Sequence, residues 1–314
     1  MIRSTLQVLL HQATVMVLRL LPVEQRVPLE RRLRGRYDAK RLARADLVVV
    51  SYGKSGRTWA RVMLSRYFQL RYGVSPRRLL TLDNYHRHNR AIPAVMFTHD
   101  NYLRDYTGTR GKADFKGKKL VVLVRHPADT AVSQYFQWRY RMKPGKKALN
   151  GYPPHGADIS LQDFVLRHPA GLERVVQFTN GWAKELPNMG EVLLVRYEDL
   201  RGDTAGELRR ILTFIGERPT DAELAEAVSF ASIENMRALE ERKAFWRSGS
   251  VLKPAERGNI DSYKVRRGKV GGFRDYFDDA QIQQIEGYVR DKLDPVFGYG
   301  VSVPLMERAV GARV

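Results

Sequence analysis

Leu47-Val48-Val49-Val50-Ser51-Tyr52-Gly53-Lys54-Ser55-Gly56-Arg57-Thr58-Trp59 is the stretch on which the reading of this chain turns. Its unbroken apolar start is the pattern of a parallel strand buried on both faces. A turn punctuated by Gly53 and Gly56 follows. From residue 57 to 72 a helix is predicted, with Trp59, Val62, Met63, Arg66, Tyr67 and Leu70 at helical spacing and Gly73 and Pro76 as its stop. Glycines let such a turn aim successive amide N–H groups at one anion, and the helix N-terminus adds the positive end of its dipole. Lys54 brings a full charge, and Ser55 and Thr58 bring hydroxyl donors. This is the composition of a phosphate cradle. It is not a Walker A loop, because Lys54 precedes Gly56. An ordinary strand-to-helix turn shares the spacing, so the rest of the chain has to decide.

Working outward, the strand-then-helix pattern repeats. A strand at 94–97 ends in Thr98-His99-Asp100. Another at 119–124 ends in Arg125-His126-Pro127 and leads into a helix to residue 141. The Pro- and Gly-rich segment 142–158 reads as a loop, and helices at 161–167 and 172–186 follow. A fourth strand at 192–195 ends in Arg196-Tyr197-Glu198-Asp199. Helices at 204–215, 221–228, 232–240 and 279–292 complete the pattern, with a polar, Gly-rich stretch at 247–272. Alternation of this kind predicts an α/β fold with a central parallel sheet of four to five strands flanked by helices. Ligands of such sheets sit at the carboxyl ends of the strands, so Lys54, His99, Arg125 and Tyr197 should converge.

The 314 residues suffice for one large domain, and the division expected is a lead-in at 1–44, a domain at 45–300 and a tail at 301–314. A net charge of +20, spread along the chain, favours anionic ligands: a nucleotide, an acidic glycan, nucleic acid or an acidic membrane. Cysteine is absent, which excludes disulfides and thiolate metal sites, and no HxxxH pair offers metal-ligand spacing. A metal-free, cytoplasmic protein is the expectation. Residues 6–21 form an apolar stretch too short and too interrupted to span a bilayer, with a basic run after it and no small-residue cleavage site. Two readings stand for it: a helix lying on an anionic membrane surface, or one packed on its own domain or a partner. The first reading gives peripheral membrane contact.

Three motifs in order carry a family resemblance. Tyr52-Gly53-Lys54-Ser55-Gly56-Arg57-Thr58-Trp59 resembles the Y-P-K-S-G-T-T-W loop of sulfotransferases that use 3′-phosphoadenosine 5′-phosphosulfate (PAPS), with Gly53 for Pro and Arg57 for Thr. Val124-Arg125-His126-Pro127-Ala128-Asp129-Thr130-Ala131-Val132-Ser133 is similar to V-R-N-P-x-D-x-x-V-S. Arg266-Arg267-Gly268-Lys269-Val270-Gly271-Gly272-Phe273 resembles R-K-G-x-x-G-D-W. The resemblance implies a P-loop-like three-layer sandwich. It implies that Lys54, Ser55, Gly56, Arg57 and Thr58 hold the 5′ end of PAPS and that Trp59 stacks on adenine. Arg125, Ser133, Arg266, Arg267 and Gly268 would bind the 3′-phosphate, and Tyr197, from Tyr197-Glu198-Asp199, would lie near the base. No metal is implied, and 3′-phosphoadenosine 5′-phosphate (PAP) would be the product.

Sulfuryl transfer needs an in-line acceptor, stabilisation of the leaving phosphate and a base for the acceptor proton. Thr98-His99 matches the end of the family's K-T-H motif, which makes His99 the expected base and Lys54 the neutraliser of leaving-group charge. The family lysine is Phe97 here; Arg57 and Arg104 are the candidates to replace its charge, and Asp100 is the alternative base. The acceptor is a small molecule, a glycan or a glycolipid, carrying a hydroxyl or an amine. Segments 79–90, 141–158 and 241–261 are expected to line its pocket, through Tyr85, His86, His88, Tyr152, Phe245 and Trp246. Two other readings stand beside this one: a P-loop-type nucleotide or small-molecule kinase, and a non-enzymatic basic module that binds polyanions. No motif for specific nucleic-acid binding is present. The family's dimer motif is not reproduced, which leaves the oligomeric state open.

Overall fold

The structure, a computed structural model, describes residues 13–18, 20–245 and 252–299. Four strands, β1 (Leu47–Ser51), β2 (Val95–Thr98), β3 (Lys119–Val124) and β4 (Val192–Arg196), form one sheet in the order β2-β1-β3-β4. Every pairing is parallel. Side chains alternate between the two sheet faces, and both faces are covered. Val48, Val50, Leu120 and Val122 belong to one core cluster; Leu47, Val49, Val121 and Leu123 belong to the other. That double burial is why β1 and β3 are apolar without alternation, and it makes the molecule the expected three-layer α/β sandwich.

Register then decides what meets. Val50 pairs with Thr98 and Val122, Ser51 with Leu123, and Val124 with Arg196. The strands therefore end level, and Tyr52, His99, Arg125 and Tyr197 leave the sheet along one edge. Strand order reverses between β1 and β3, the crevice where open α/β sheets take ligands.

Helix α1 (Val23–Ala43) precedes the sheet. The sequence reading left this basic stretch as a lead-in; it is a 21-residue helix seated on the short helix Leu103–Thr107. A Cβ at Gly35 would come within 2.2 Å of the Tyr102 carbonyl oxygen, so glycine permits the close approach. Arg31 fastens the contact with hydrogen bonds to Asp105, Asn101 O and Leu149 O. Of the apolar stretch 6–21, residues 6–12 and 19 lie outside the described residues, as do Trp246 and the tail 301–314. Among the described residues no helix is long and apolar enough to cross a membrane.

Two local expectations change. The helix after β3 is α2 (Pro127–Phe136), and a π turn at Gln137–Arg141 continues it. The segment 142–158 contains a helix, Pro144–Leu149. Proline at the first helical position is compatible with a helix because its N–H would be unpaired there anyway.

Candidate functional site

At the carboxyl edge of the sheet lies a cleft of about 980 Å³. Its cradle is the turn after β1. Lys54 and Gly56 both adopt positive φ, 74° and 93°, and Gly56 caps the helix Arg57–Tyr72. A side chain at Gly56 would strike the Tyr197 ring at 2.6 Å, so the close packing of turn on ring requires glycine as well as the backbone angle does. Lys54 points its ammonium at the Lys264 carbonyl, 3.5 Å away. Burial first, and then the charges of Lys264 and Arg141, hold its pKa well below the ordinary lysine value. Trp59 donates its indole N–H to Ala231 O at 2.8 Å. Its ring meets Tyr197 edge-on at 5.8 Å, and Ile233 and Met236 continue the apolar wall of the cleft.

Arg125 sits at the end of β3, its guanidinium 4.4 Å above the Tyr197 ring centroid. It donates to Lys54 O at 3.4 Å and Lys269 O at 2.9 Å. Its Nε is buried without a partner, and so is Nη1 of Arg57. Buried donors in native proteins are nearly all paired, so two orphans in one cleft wall mark places for a ligand's acceptor atoms. Ser133, on α2, lines the same wall.

The third motif arrives from far along the chain, and two buried carboxylates bring it in. Asp129 accepts from the amides of Gly271 and Phe273, both at 2.8 Å, which pins the loop against Arg125. Glu240, fully buried, accepts from the amides of Lys264 at 2.8 Å and Val265 at 3.0 Å and pairs with Arg141 at 3.1 Å. Tyr197 closes the ring by donating to Gly268 O at 3.3 Å. Arg266, stacked 3.9 Å over Phe136, and the more exposed Arg267 then line the cleft.

His99 occupies the other end. Its Nδ1 lies 2.8 Å from Ser51 O. A carbonyl only accepts, so Nδ1 carries the proton and Nε2 presents the lone pair. Arg57 Nη2 donates to that lone pair at 2.5 Å. Burial first, then the Arg57 charge, holds His99 well below its usual pKa, while the Ser51 bond opposes them. Asp100 lines the cleft too, but its carboxylate is bound to Lys112 at 2.5 Å.

Of the catalytic and cofactor-binding residues expected from sequence, all line this cleft except Ser55, which is buried to 2% exposure. Phe97 packs in the core below Arg61. Arg104 is exposed and outside the cleft; the cation on His99 is Arg57. Of the three segments expected to line an acceptor pocket, only 141–158 contributes to this cleft. Among the described residues, 79–90 and 241–261 contribute nothing to the wall, Tyr85 and Phe245 are core, and His86 is tied to Ile92 O. Sequence reasoning missed Asp129 and Glu240 as loop anchors, and Arg31, Arg174 and Lys264 as lining. Asp129 stood inside a quoted motif, whereas the others carry no local signal.

A P-loop-like α/β fold, with its cation-lined cleft at the switch point, is the class these features define. The sulfotransferase domain family matches residues 44–297, and the chain belongs to that family. Cytosolic sulfotransferase 17 of Arabidopsis thaliana is 24% identical over 273 residues, 79% of this chain and 74% of its own. Cytosolic sulfotransferase 15 of the same plant is 28% identical over 183 residues, 56% of this chain, and the match spans about half of that relative, 47%. Among solved structures, mouse sulfotransferase SULT7A1 complexed with PAP superimposes with a TM-score of 0.53 at 21% identity, covering 79% of this chain and 84% of that one. Retinol dehydratase in a complex with retinol and PAP gives 0.54 at 21% identity, with 82% and 83% covered.

Proposed function

We propose that this protein is a PAPS-dependent sulfotransferase acting on a hydroxyl or amine of a small-molecule, glycan or glycolipid acceptor. The observation that carries the reading is the meeting of Lys54, Arg125 and Arg266 in one cleft, with buried guanidinium donors left unpartnered there. A nucleotide with phosphate at both its 3′ and 5′ ends fits that donor set: Arg125, Ser133 and the Arg266-Arg267-Gly268 loop for the 3′-phosphate, Trp59 and Tyr197 for the base, Lys54, Gly56 and Thr58 for the 5′ end.

PAPS supplies an activated sulfuryl group: the acceptor oxygen forms a new bond to sulfur, the bond from sulfur to the 5′-phosphate breaks, and PAP leaves. His99 Nε2 takes the acceptor proton once Arg57 has turned from it to the sulfuryl oxygens; its Nδ1–H bond to Ser51 fixes both tautomer and ring orientation. Lys54 faces the charge that builds on the departing phosphate. Arg57, with one donor on His99 and another unpartnered, is placed to hold sulfuryl oxygens beside the base, the role the family lysine leaves vacant at Phe97. The test is direct. The purified chain is incubated with radiolabelled PAPS and lipid, glycan and small-molecule fractions, and PAP binding is measured by calorimetry. Micromolar PAP binding with label appearing in one fraction supports the reading; failure to bind PAP while phosphorylating an acceptor from ATP and magnesium replaces it with a kinase.

A further inference from the structure

Thirteen lysines and arginines line the cleft against two aspartates, Asp100 and Asp129. Both aspartates are already bound, to Lys112 and to the Gly271 and Phe273 amides. The cofactor's two anionic ends account for Lys54, Arg125, Arg266 and Arg267. The His99 end keeps its own set: Lys146, Arg174 and Lys264, none of which is in a salt bridge among the described residues. Their position is fixed by what they act on. Lys264 and Lys146 both bear electrostatically on His99, and Arg174 bears on Tyr52 and Tyr152. Arg174 donates to two carbonyls, Asn150 O at 2.7 Å and Gly151 O at 3.1 Å, and lies over the Tyr152 ring. Lys146 lies over the Tyr102 ring. Burial first, and then the neighbouring charges of Arg141, Arg57 and Arg61, hold the Lys264 ammonium down to about 7 against the opposing charge of Glu240.

Between these cations stands an aromatic wall. Tyr52 meets Phe178 edge-on at 5.3 Å, and its hydroxyl lies 3.3 Å from that of Tyr152. Like charges converging on a cleft repel one another, and the repulsion is relieved when an anion enters. We infer that the acceptor itself is anionic: a ring-bearing hydroxyl compound carrying a carboxylate, sulfate or phosphate, which Lys146, Arg174 and Lys264 grip while the Tyr52–Tyr152 wall packs the ring. This rests on the sulfotransferase reading and adds the charge of its second substrate.

The experiment measures acceptor-side binding to the PAP-loaded chain by calorimetry. The probes are 4-methylumbelliferyl β-D-glucoside, the matching glucuronide, and the glucoside bearing a 6-sulfate or a 6-phosphate. The expected result is that at least one anionic probe binds about tenfold more tightly than the glucoside, equivalent to about 1.4 kcal/mol. The arms show which anion is preferred. In the Lys146→Gln/Arg174→Gln double variant the preference falls to near unity while PAP affinity stays within about twofold. Should that variant not fold, raising salt from about 0.02 M to about 0.5 M must shrink the preference of the unaltered protein. Equal binding of all probes, binding of none, or a preference indifferent to salt overturns the inference and leaves the sulfotransferase reading standing. Absence of PAP binding instead removes the reading beneath it.

Discussion

The two ends of the cleft are built on different principles. At the nucleotide end the cations are held by the protein itself: Arg125 is tied to Lys54 O and Lys269 O, Tyr197 to Gly268, and the loop to Asp129. At the His99 end Lys146, Arg174 and Lys264 form no salt bridge among the described residues, and a π turn with the helices Pro144–Leu149 and Leu172–Ala183 completes the wall that Tyr52 and His99 begin at the strand ends. A π turn is a helical irregularity met often at functional sites, and here it swings Gln137 and Arg141 into the cleft. The first end is preorganised for one constant ligand. Under the proposed function, the second is an electrostatic surface for the acceptor.

The sharpest way to break this comparison is at His99. His99→Ala should lower kcat by roughly 10²–10⁴-fold, the usual worth of a general base, with PAP affinity by calorimetry nearly unchanged. Retained turnover would take the base role away from His99. Arg125→Ala comes next. Losing charged hydrogen bonds worth about 1.5–3 kcal/mol should weaken PAP binding on the order of tenfold to a hundredfold while acceptor KM moves little. Equal losses on both substrates would mean that the two ends are not separate. Gly56→Ala tests the cradle's shape: the positive φ and the Tyr197 collision should cost about 1–3 kcal/mol, read as a lower melting temperature together with lost PAP binding.

A smaller effect sharpens the acceptor end through pH. His99 works as a base only when neutral, and burial with Arg57, Lys264 and Lys146 around it lowers its pKa well below 6.5. Activity should therefore persist on acidification past pH 6.5 and fall only further down. Arg57→Gln removes the largest charge acting on the ring, so the acid limb of the kcat/KM profile should move to higher pH. An unmoved limb would mean that Arg57 does not govern the base, whatever it does for the sulfuryl group.

Much of this was open to sequence reading. Continuous apolar runs revealed β1 and β3, because a strand covered on both faces has no polar face to show. The level strand ends followed from the rule that α/β sheets bind at their carboxyl edge. Local turn chemistry around Gly56 marked the cradle, since a positive φ leaves few other residues to choose from. Less legible were the short helix Pro144–Leu149, where a starting proline looks the same as a breaking one, and the packing of helix α1, whose charged residues hide a contact made through Gly35.

The sequence by itself determined the parallel sheet, the anion cradle and the order of the motifs, because each is written in neighbouring residues through periodicity and backbone geometry. The folded chain alone settled that Asp129 and Glu240 draw the C-terminal loop onto the strand ends, that Arg57 rests on His99, and that Lys146, Arg174 and Lys264 line one cleft. Those contacts join residues far apart in the chain, and the charge of one residue acts on another through space, not along the sequence.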